Sequence, residues 1–336
     1  MELGLYTFGD LVRHAKTGKR VSAAERMRQM LEMAVIADEA GLDILGVGEH
    51  HGLNFVNSAT ATTLSAMAAI TRRIRLTSAT TLLSTADPVR TFQEFATADL
   101  ISEGRIELIF GRGAFTDNFP LFGFDTKDYD ALFMEKLKLF EQLNTSERVS
   151  WQGRFRAPLD HAEIAPRSAQ SKLPVWIGAG SPASVARAAS MGYPVAIPVL
   201  GGSLPGYAQT ANVYRQTWEH SGQAKRDLRL AVFSHLHVTE TSQDTVNDFY
   251  PYYSAYLEPF YKQAMPKEHF HTMLSPHGSL IAGSPQQVID KLLYLKENMG
   301  LTRYVGQIDI GGQDFADVIK GIEIFASKVV PGISSN

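Results

Sequence analysis

Four short segments of this chain combine residues that do chemistry with residues that let a ligand come close. The first is Glu49-His50-His51, with Asn54 nearby. An imidazole titrates near neutrality, so a loop histidine here is a candidate general acid or base, His50 and His51 alike. Neighbouring side chains rarely converge on one ion and no His-x3-His or Glu-x-x-His pattern lies close, so no metal site is expected; solvated loop histidines are the plain alternative. The second segment is Gly111-Arg112-Gly113. Flanking glycines let the backbone approach a bound group and the guanidinium offers a planar fork for phosphate, although a turn with a surface arginine uses the same residues. The third is Gly178-Ala-Gly180-Ser181-Pro-Ala-Ser184. A helix opening there presents backbone amides and the Ser181 and Ser184 hydroxyls to an anion. Its GxGxxA spacing imitates a dinucleotide fingerprint, but that site needs an acidic residue at the end of the next strand, and Pro194 to Leu200 (PVAIPVL) has none. Phosphate is therefore favoured, with a capped helix as the purely structural reading. The fourth, Ser78-Ala79-Thr80-Thr81 with Asp87-Pro88 beyond, reads alone as core followed by an N-cap.

The elements that position these segments are legible. Ser22-Ala-Ala-Glu25 has capping-box spacing, Met27, Met30, Leu31, Ala34 and Val35 follow at helical spacing, and Gly41 supplies a left-handed stop before strand Leu42 to Gly48. The unit then recurs. Helix Asn57 to Thr71 leads to strand Ile74 to Thr81, helix Asp87 to Ser102 to strand Arg105 to Gly111, and helix Asp130 to Asn144 to a small hairpin at Val149 to Pro158. Strand Pro174 to Gly178 precedes a helix from Ser181-Pro182 to Gly192; strand Pro194 to Val199 precedes a helix near Gln209 to Ser221. After strand Leu228 to Val238, a helix opens at Ser284-Pro285 and stops at Gly300, strand Arg303 to Asp309 follows, and a last helix, Phe315 to Val329, stops before Pro331. Eight strand-then-helix units predict an α/β fold, a (β/α)8 TIM barrel, as one domain over 1–336. The interruption at Thr241 to Gly283, after the seventh strand, carries Phe249, Tyr250, Tyr252, Tyr253, Tyr256, Phe260 and Tyr261. It is too long for an ordinary loop and lies on the face where barrels keep their sites, so a lid or pocket wall is expected, with a packed helical insertion as the alternative.

Composition narrows the chemistry. The 32 basic and 35 acidic residues leave a net charge of −3, so no basic field invites nucleic acid or an anionic membrane. Cysteine is absent, which removes thiolate nucleophiles, zinc–sulfur sites and iron–sulfur clusters and points to a borrowed cofactor. Met1 to Asp10 alternates like a strand and lacks a basic region followed by an apolar stretch, and no apolar run reaches the roughly 18–20 residues of a membrane span, so a cytoplasmic protein is expected.

Taken in order, Glu49-His50-His51, Ser78 to Arg90 (SATTLLSTADPVR), Gly104-Arg105 with Phe110-Gly-Arg-Gly113, Phe122-Gly123, Pro174 to Ser184 (PVWIGAGSPAS) and Gly283-Ser-Pro-Gln286 resemble the bacterial luciferase-like flavin monooxygenase family. The resemblance runs from the first strand to Val330-Pro331. It implies a (β/α)8 barrel with non-covalent FMN, used in reduced form as a co-substrate from a separate flavin reductase, and a flavin hydroperoxide made with O2. By position, His50 resembles the family's active-site histidine, with His51 beside it. Gly111, Arg112 and Gly113 with Gly178, Gly180, Ser181 and Ser184 look like the phosphate-binding segments, and Ala79-Thr80 matches a non-proline cis peptide under the flavin ring. Three departures stand out. Gly111 replaces the reactive cysteine of the luciferase α subunit. Asp130 takes the approximate place of a phosphate-clamping arginine, which argues against a second guanidinium contact and for weaker FMN affinity. Gly180 replaces a glutamate, a partial compensation. The expected function is oxidation of a small apolar or aromatic substrate with O2, by a chain that can form the homodimer common in the family. A deazaflavin-dependent hydride transferase and a flavin-binding protein without turnover are the rivals.

Overall fold

The computed structural model describes residues 1–113, 116 and 118–334, and every side chain among them except that of Phe260. Eight parallel strands alternate with eight helices in it: β1 (Glu2–Thr7), α1 (Ala23–Glu39), β2 (Ile44–Val47), α2 (Thr60–Ile70), β3 (Arg75–Ser78), α3 (Pro88–Ser102), β4 (Ile106–Gly111), α4 (Tyr129–Thr145), β5 (Val175–Gly178), α5 (Pro182–Ser190), β6 (Val195–Val199), α6 (Leu204–His220), β7 (Leu230–Val238), α7 (Pro285–Met299), β8 (Arg303–Gln307) and α8 (Phe315–Ile324). Each strand pairs with the next, and β8 returns to β1 from Glu2↔Arg303 to Tyr6↔Gln307, so the barrel closes as expected.

Local chemistry sets the helix starts. Ser22 Oγ accepts the Glu25 amide at 3.1 Å, Asp87 Oδ1 accepts that of Arg90 at 3.0 Å, and Ser284 and Gln287 form a capping box closed by Gly300 at φ 66°. Strand residues alternate between two cores. Along β7, Leu230, Val232, Leu236 and Val238 face the helices, whereas Ala231 and Phe233 join Tyr6, Ile109, Trp176 and Val305 inside the barrel. At the strand starts, the fully buried Arg303 donates to both Glu107 carboxylate oxygens (2.7 and 3.2 Å) and to Glu2 (2.7 Å), and lies 4.4 Å over the Trp176 ring. That ion cluster plugs the N-terminal end. The opening left for a ligand is at the C-terminal end, where the strands deliver their loops.

Several boundaries differ from expectation. α2 begins at Thr60, because the Asn57 side chain is engaged in the loop, donating to Gly48 O at 2.7 Å and accepting from Thr63 Oγ1 at 2.7 Å. α6 begins at Leu204 rather than near Gln209; Pro205 suits its first turn and the Leu204 amide is satisfied by His277 O. The hairpin pairs Arg148–Trp151 with Leu159–Glu163, and most of the expected Val149 to Pro158 stretch is its turn, held by Glu135 accepting the Arg154 and Phe155 amides. The last helix does not stop before Pro331. It widens to a π-helical turn at Phe325–Val329 and continues through Val330–Ser334, with Pro331 in a first-turn position that needs no N–H. The stretch after β7 forms helices Ser242–Asp244, Tyr250–Tyr261 and Lys267–Leu274, then a short strand, Ile281–Gly283, along the end of β7. Its aromatics build a small core of their own around Phe249, Tyr253 and Phe270. Among the described residues, no helix is long and apolar enough to cross a membrane.

Candidate active site

His50 stands in the loop leaving β2. Its ring stacks on Phe55 (centroids 4.1 Å apart, planes 15°) and meets Phe8 edge-on at 4.6 Å. The loop is strapped to the chain leaving β1, with Val56 donating to Gly9 O at 3.0 Å and Leu11 to Asn54 O at 2.6 Å. Two aromatic contacts and a fixed backbone hold the imidazole at the barrel mouth. His51 turns elsewhere. Its Nε2 lies 2.9 Å from Glu49 Oε1, and the other Glu49 oxygen accepts the Leu82 amide at 3.0 Å. Glu49 thereby ties His51 to the segment after β3.

That segment is the floor of the mouth. β3 ends at Ser78, the Ala79–Thr80 peptide is cis, and Thr81–Leu82 pairs with Phe110 and Gly111 of β4. A methyl group on Gly111 would stand 2.5 Å from Thr80 Oγ1, and one on Gly178 would stand 3.1 Å from Thr80 Cγ2. The two glycines at the ends of β4 and β5 therefore leave the room that Thr80 fills. The outcome is a surface of backbone and one small side chain across β3, β4 and β5, with His50 on the β2 side.

Charge collects on the β4–β5 side. Arg112 Nη1 donates to Asp130 Oδ1 at 2.6 Å, Arg187 Nη1 to the same oxygen at 3.1 Å, and the Arg112 guanidinium lies 5.4 Å over the Tyr129 ring. Hydrogen bonding from Arg112, and then from Arg187, holds the Asp130 carboxyl below the usual carboxylate range. Gly113 adopts φ 92°, and its carbonyl accepts the Tyr129 hydroxyl at 2.6 Å. Ser181 and Ser184 form a reciprocal capping box: Ser181 N donates to Ser184 Oγ at 3.0 Å, Ser184 N to Ser181 Oγ at 3.3 Å, and the two hydroxyls are 2.9 Å apart. Gly180 faces the Pro198 ring, with 3.4 Å available to a Cβ. Arg187 thus brings a second guanidinium beside Arg112 at Asp130.

The β7–β8–β1 side carries a third group. His235 Nδ1 lies 2.9 Å from the Tyr253 hydroxyl, and His237 stacks on Phe249 at 4.0 Å. Burial lowers the two imidazoles to about 4 and about 3, so both are neutral. Gln307 Nε2 donates to Asp10 Oδ2 at 2.9 Å, and Tyr256 of the insertion hydrogen-bonds Gln307. Asp309 pairs with Arg26 and accepts the Thr7 hydroxyl. Burial, reinforced by Asp309, raises Asp10 to about 8. Among the described residues, no three metal-ligating side chains converge.

Residues 1–303 match the family model of luciferase-like monooxygenases. The chain belongs to that family. It is accordingly an oxidoreductase, and the resemblance of its motifs holds over nearly the whole length. The oxygenase component of the flavin-dependent trigonelline monooxygenase of Acinetobacter baylyi is 23% identical over 348 residues, spanning 95% of this chain and 94% of that one. The F420-dependent glucose-6-phosphate dehydrogenase of Amycolatopsis mediterranei is 33% identical over 177 residues, 50% of this chain and 52% of that protein. Among solved structures, the oxygenating constituent of the 3,6-diketocamphane monooxygenase of Pseudomonas putida, in complex with FMN, is similar with a TM-score of 0.80 at 19% identity over 98% of both chains. The relatives of this luciferase-like monooxygenase thus use a flavin-type cofactor, flavin in some and F420 in others.

In this family member, the structure gathers His50, Ala79, Thr80, Gly111, Arg112, Gly178 and Ser181 around one mouth, while His51 pairs with Glu49. Arg187, Asp10, Gln307 and His235 went unnoticed in the sequence, and Tyr256 stood there only as one of the aromatics of the insertion. One signal was available for His235: it has the parity of Ala231 and Phe233, which face the barrel interior. The others depend on contacts between distant segments.

Proposed function

We propose that the protein is an FMN-dependent monooxygenase that takes reduced FMN from a separate reductase and oxidises a small apolar or aromatic substrate with O2. One observation supports this most: a side-chain-poor floor of Ala79, Thr80, Gly111 and Gly178 lies between an imidazole at His50 and a guanidinium at Arg112. A planar tricyclic ring with a phosphate tail fits such a floor with a cation at its edge. Reduced FMN, when bound, supplies the two electrons by which one oxygen atom of O2 enters the substrate and the other leaves as water. The chain's own residues do the rest. Arg112, Ser181 and the opening of α5, with Gly113, Gly180 and Ser184 shaping the backbone, hold the phosphate. His50 moves a proton through an imidazole nitrogen, and the Glu49-paired His51 steadies the loop beside it.

The substrate lies between this floor and the insertion 241–283, which acts as a lid on a single barrel domain over 1–336. Its apolar or aromatic character is supported by Phe8, Phe55 and Tyr256 at the mouth and by exposed Leu53, Leu121, Phe122 and Leu200 on the surrounding loops. A homodimer is supported by exposed Ile70, Leu100 and Ile101 on the packed helices α2 and α3.

A deazaflavin-dependent hydride transfer is the second reading, favoured by the half-chain match to the F420-dependent dehydrogenase. Anaerobic titration separates them. Reduced FMN should bind at least about tenfold more tightly than reduced F420, and admitting O2 should reoxidise the bound flavin at a rate distinct from that of free flavin. Tight F420 binding with no FMN binding would replace the monooxygenase with the transferase.

A further inference from the structure

Two arginines from separate elements share a single carboxylate oxygen at the rim of the proposed flavin site. The β4–β5 register, Phe110↔Ile177, sets Arg112 beside Ala179, at the entry to Gly180-Ser181. Arg187 lies on α5, whose side chains lean towards the helix start, and therefore towards Ser181. Asp130, in the first turn of α4, accepts from both guanidinium groups on Oδ1. One oxygen held by two guanidiniums is the arrangement a phosphate oxygen takes up. The Asp130 side chain is 59% exposed, so little besides these two ion pairs keeps it there.

We propose that Asp130 is a built-in competitor for the flavin phosphate: it pairs with Arg112 and Arg187, and it yields that pair when the phosphate arrives. The inference rests on the reading of FMN with its phosphate at Arg112 and Ser181. Charge gives the direction. Two guanidiniums and one carboxylate leave the cluster one net positive charge for a phosphate monoester carrying about −1.5 to −2, whereas the arginines alone would offer two. The carboxylate stays ionised at neutral pH, so protonation does not lift the competition. A weakened hold suits a flavin that must enter reduced and leave oxidised in every cycle. Arg187, outside every recognisable motif, then joins Arg112 in distinguishing FMN from riboflavin.

The test is fluorescence titration of the full-length protein with FMN and with riboflavin, using wild type, Asp130→Asn, Arg187→Ala and Arg112→Ala. Asp130→Asn keeps the side chain's shape and should tighten FMN by about tenfold while leaving riboflavin unchanged. Arg187→Ala should cut the preference for FMN over riboflavin by a similar factor. Unchanged or weaker FMN binding in Asp130→Asn would overturn the proposal and make the carboxylate an aligning group. Inorganic phosphate provides a second readout, since it should compete with FMN more strongly in Asp130→Asn than in wild type, and equal competition would count against the proposal. An FMN-to-riboflavin ratio unaltered by Arg112→Ala would instead remove the phosphate reading itself.

Discussion

The Tyr253 hydroxyl lies 2.9 Å from His235 Nδ1, which ties helix Tyr250–Tyr261 of the insertion to the inner face of β7. Burial fixes the charge state of both partners. His235 is neutral and burial raises the Tyr253 phenol, so this is a hydrogen bond between two uncharged groups. A few residues along the same helix, Tyr256 reaches Gln307 at the end of β8. The insertion therefore rests on the mouth through two tyrosines.

Replacing Tyr253 with phenylalanine leaves His235 Nδ1 buried without its hydrogen-bond partner. The expected cost is about 1–3 kcal/mol in denaturant unfolding, with faster hydrogen exchange confined to residues 245–274. Unchanged exchange there would mean that the bond does not hold the insertion down.

The buried titratable groups set a pH optimum of stability. His235 and His237 have folded values of about 4 and about 3, below the usual 6.5, so their contribution is lost as pH falls from about 6.5. Asp10 behaves oppositely. Its folded value of about 8 lies above the usual 3.8, so the stability of its protonated form is lost as pH rises between those values. From about 4 to 6.5 two histidines outweigh one aspartate; between 6.5 and about 8 the aspartate slope remains, about 1.4 kcal/mol per pH unit for one proton, and above that Lys136 and Lys291, lowered by burial to about 8, turn the slope upwards. Tm measured from pH 5 to 8 should peak near 6.5. Asp10→Asn should flatten the decline between 6.5 and 8 while keeping the acid side.

His50→Ala should lower substrate-dependent oxygen consumption by about 100-fold or more, the usual contribution of a positioned acid or base, with FMN affinity unchanged. Equal loss in FMN binding would reassign His50 to the flavin, and an unchanged rate would remove it from the mechanism.

Gly111→Ala probes the floor. Its methyl group would meet Thr80 Oγ1 at 2.5 Å, and overpacking of this kind costs about 1–3 kcal/mol. FMN affinity should fall by about tenfold, and adding Thr80→Ala should restore most of it. No rescue would show that the glycine is needed for some reason other than room for Thr80.

The barrel was readable from the sequence because its signals are local. Ser22, Asp87, Ser181 and Ser284 start helices through bonds spanning three residues, and Gly300 ends one by its own backbone angle. The His50 loop and the Arg112 and Ser181 segments were readable for a related reason: each directly follows a barrel strand. What escaped was long-range. Asp10 meets Gln307 across 297 positions, and Arg187 meets Asp130 across 57. No periodicity encodes such pairs. Pro331 misled in a different way, since a proline ends a helix only where its missing N–H is needed, and the π-helical turn before it removes that need.

A crystal structure of the protein with FMN would show where the phosphate and the ring are held. The phosphate is expected within hydrogen-bond reach, about 2.7–3.2 Å, of Arg112 and Ser181 Oγ, with the ring lying against Ala79–Thr80 and facing His50. A phosphate held elsewhere, or a ring without contact to Ala79–Thr80, would rule out this flavin site.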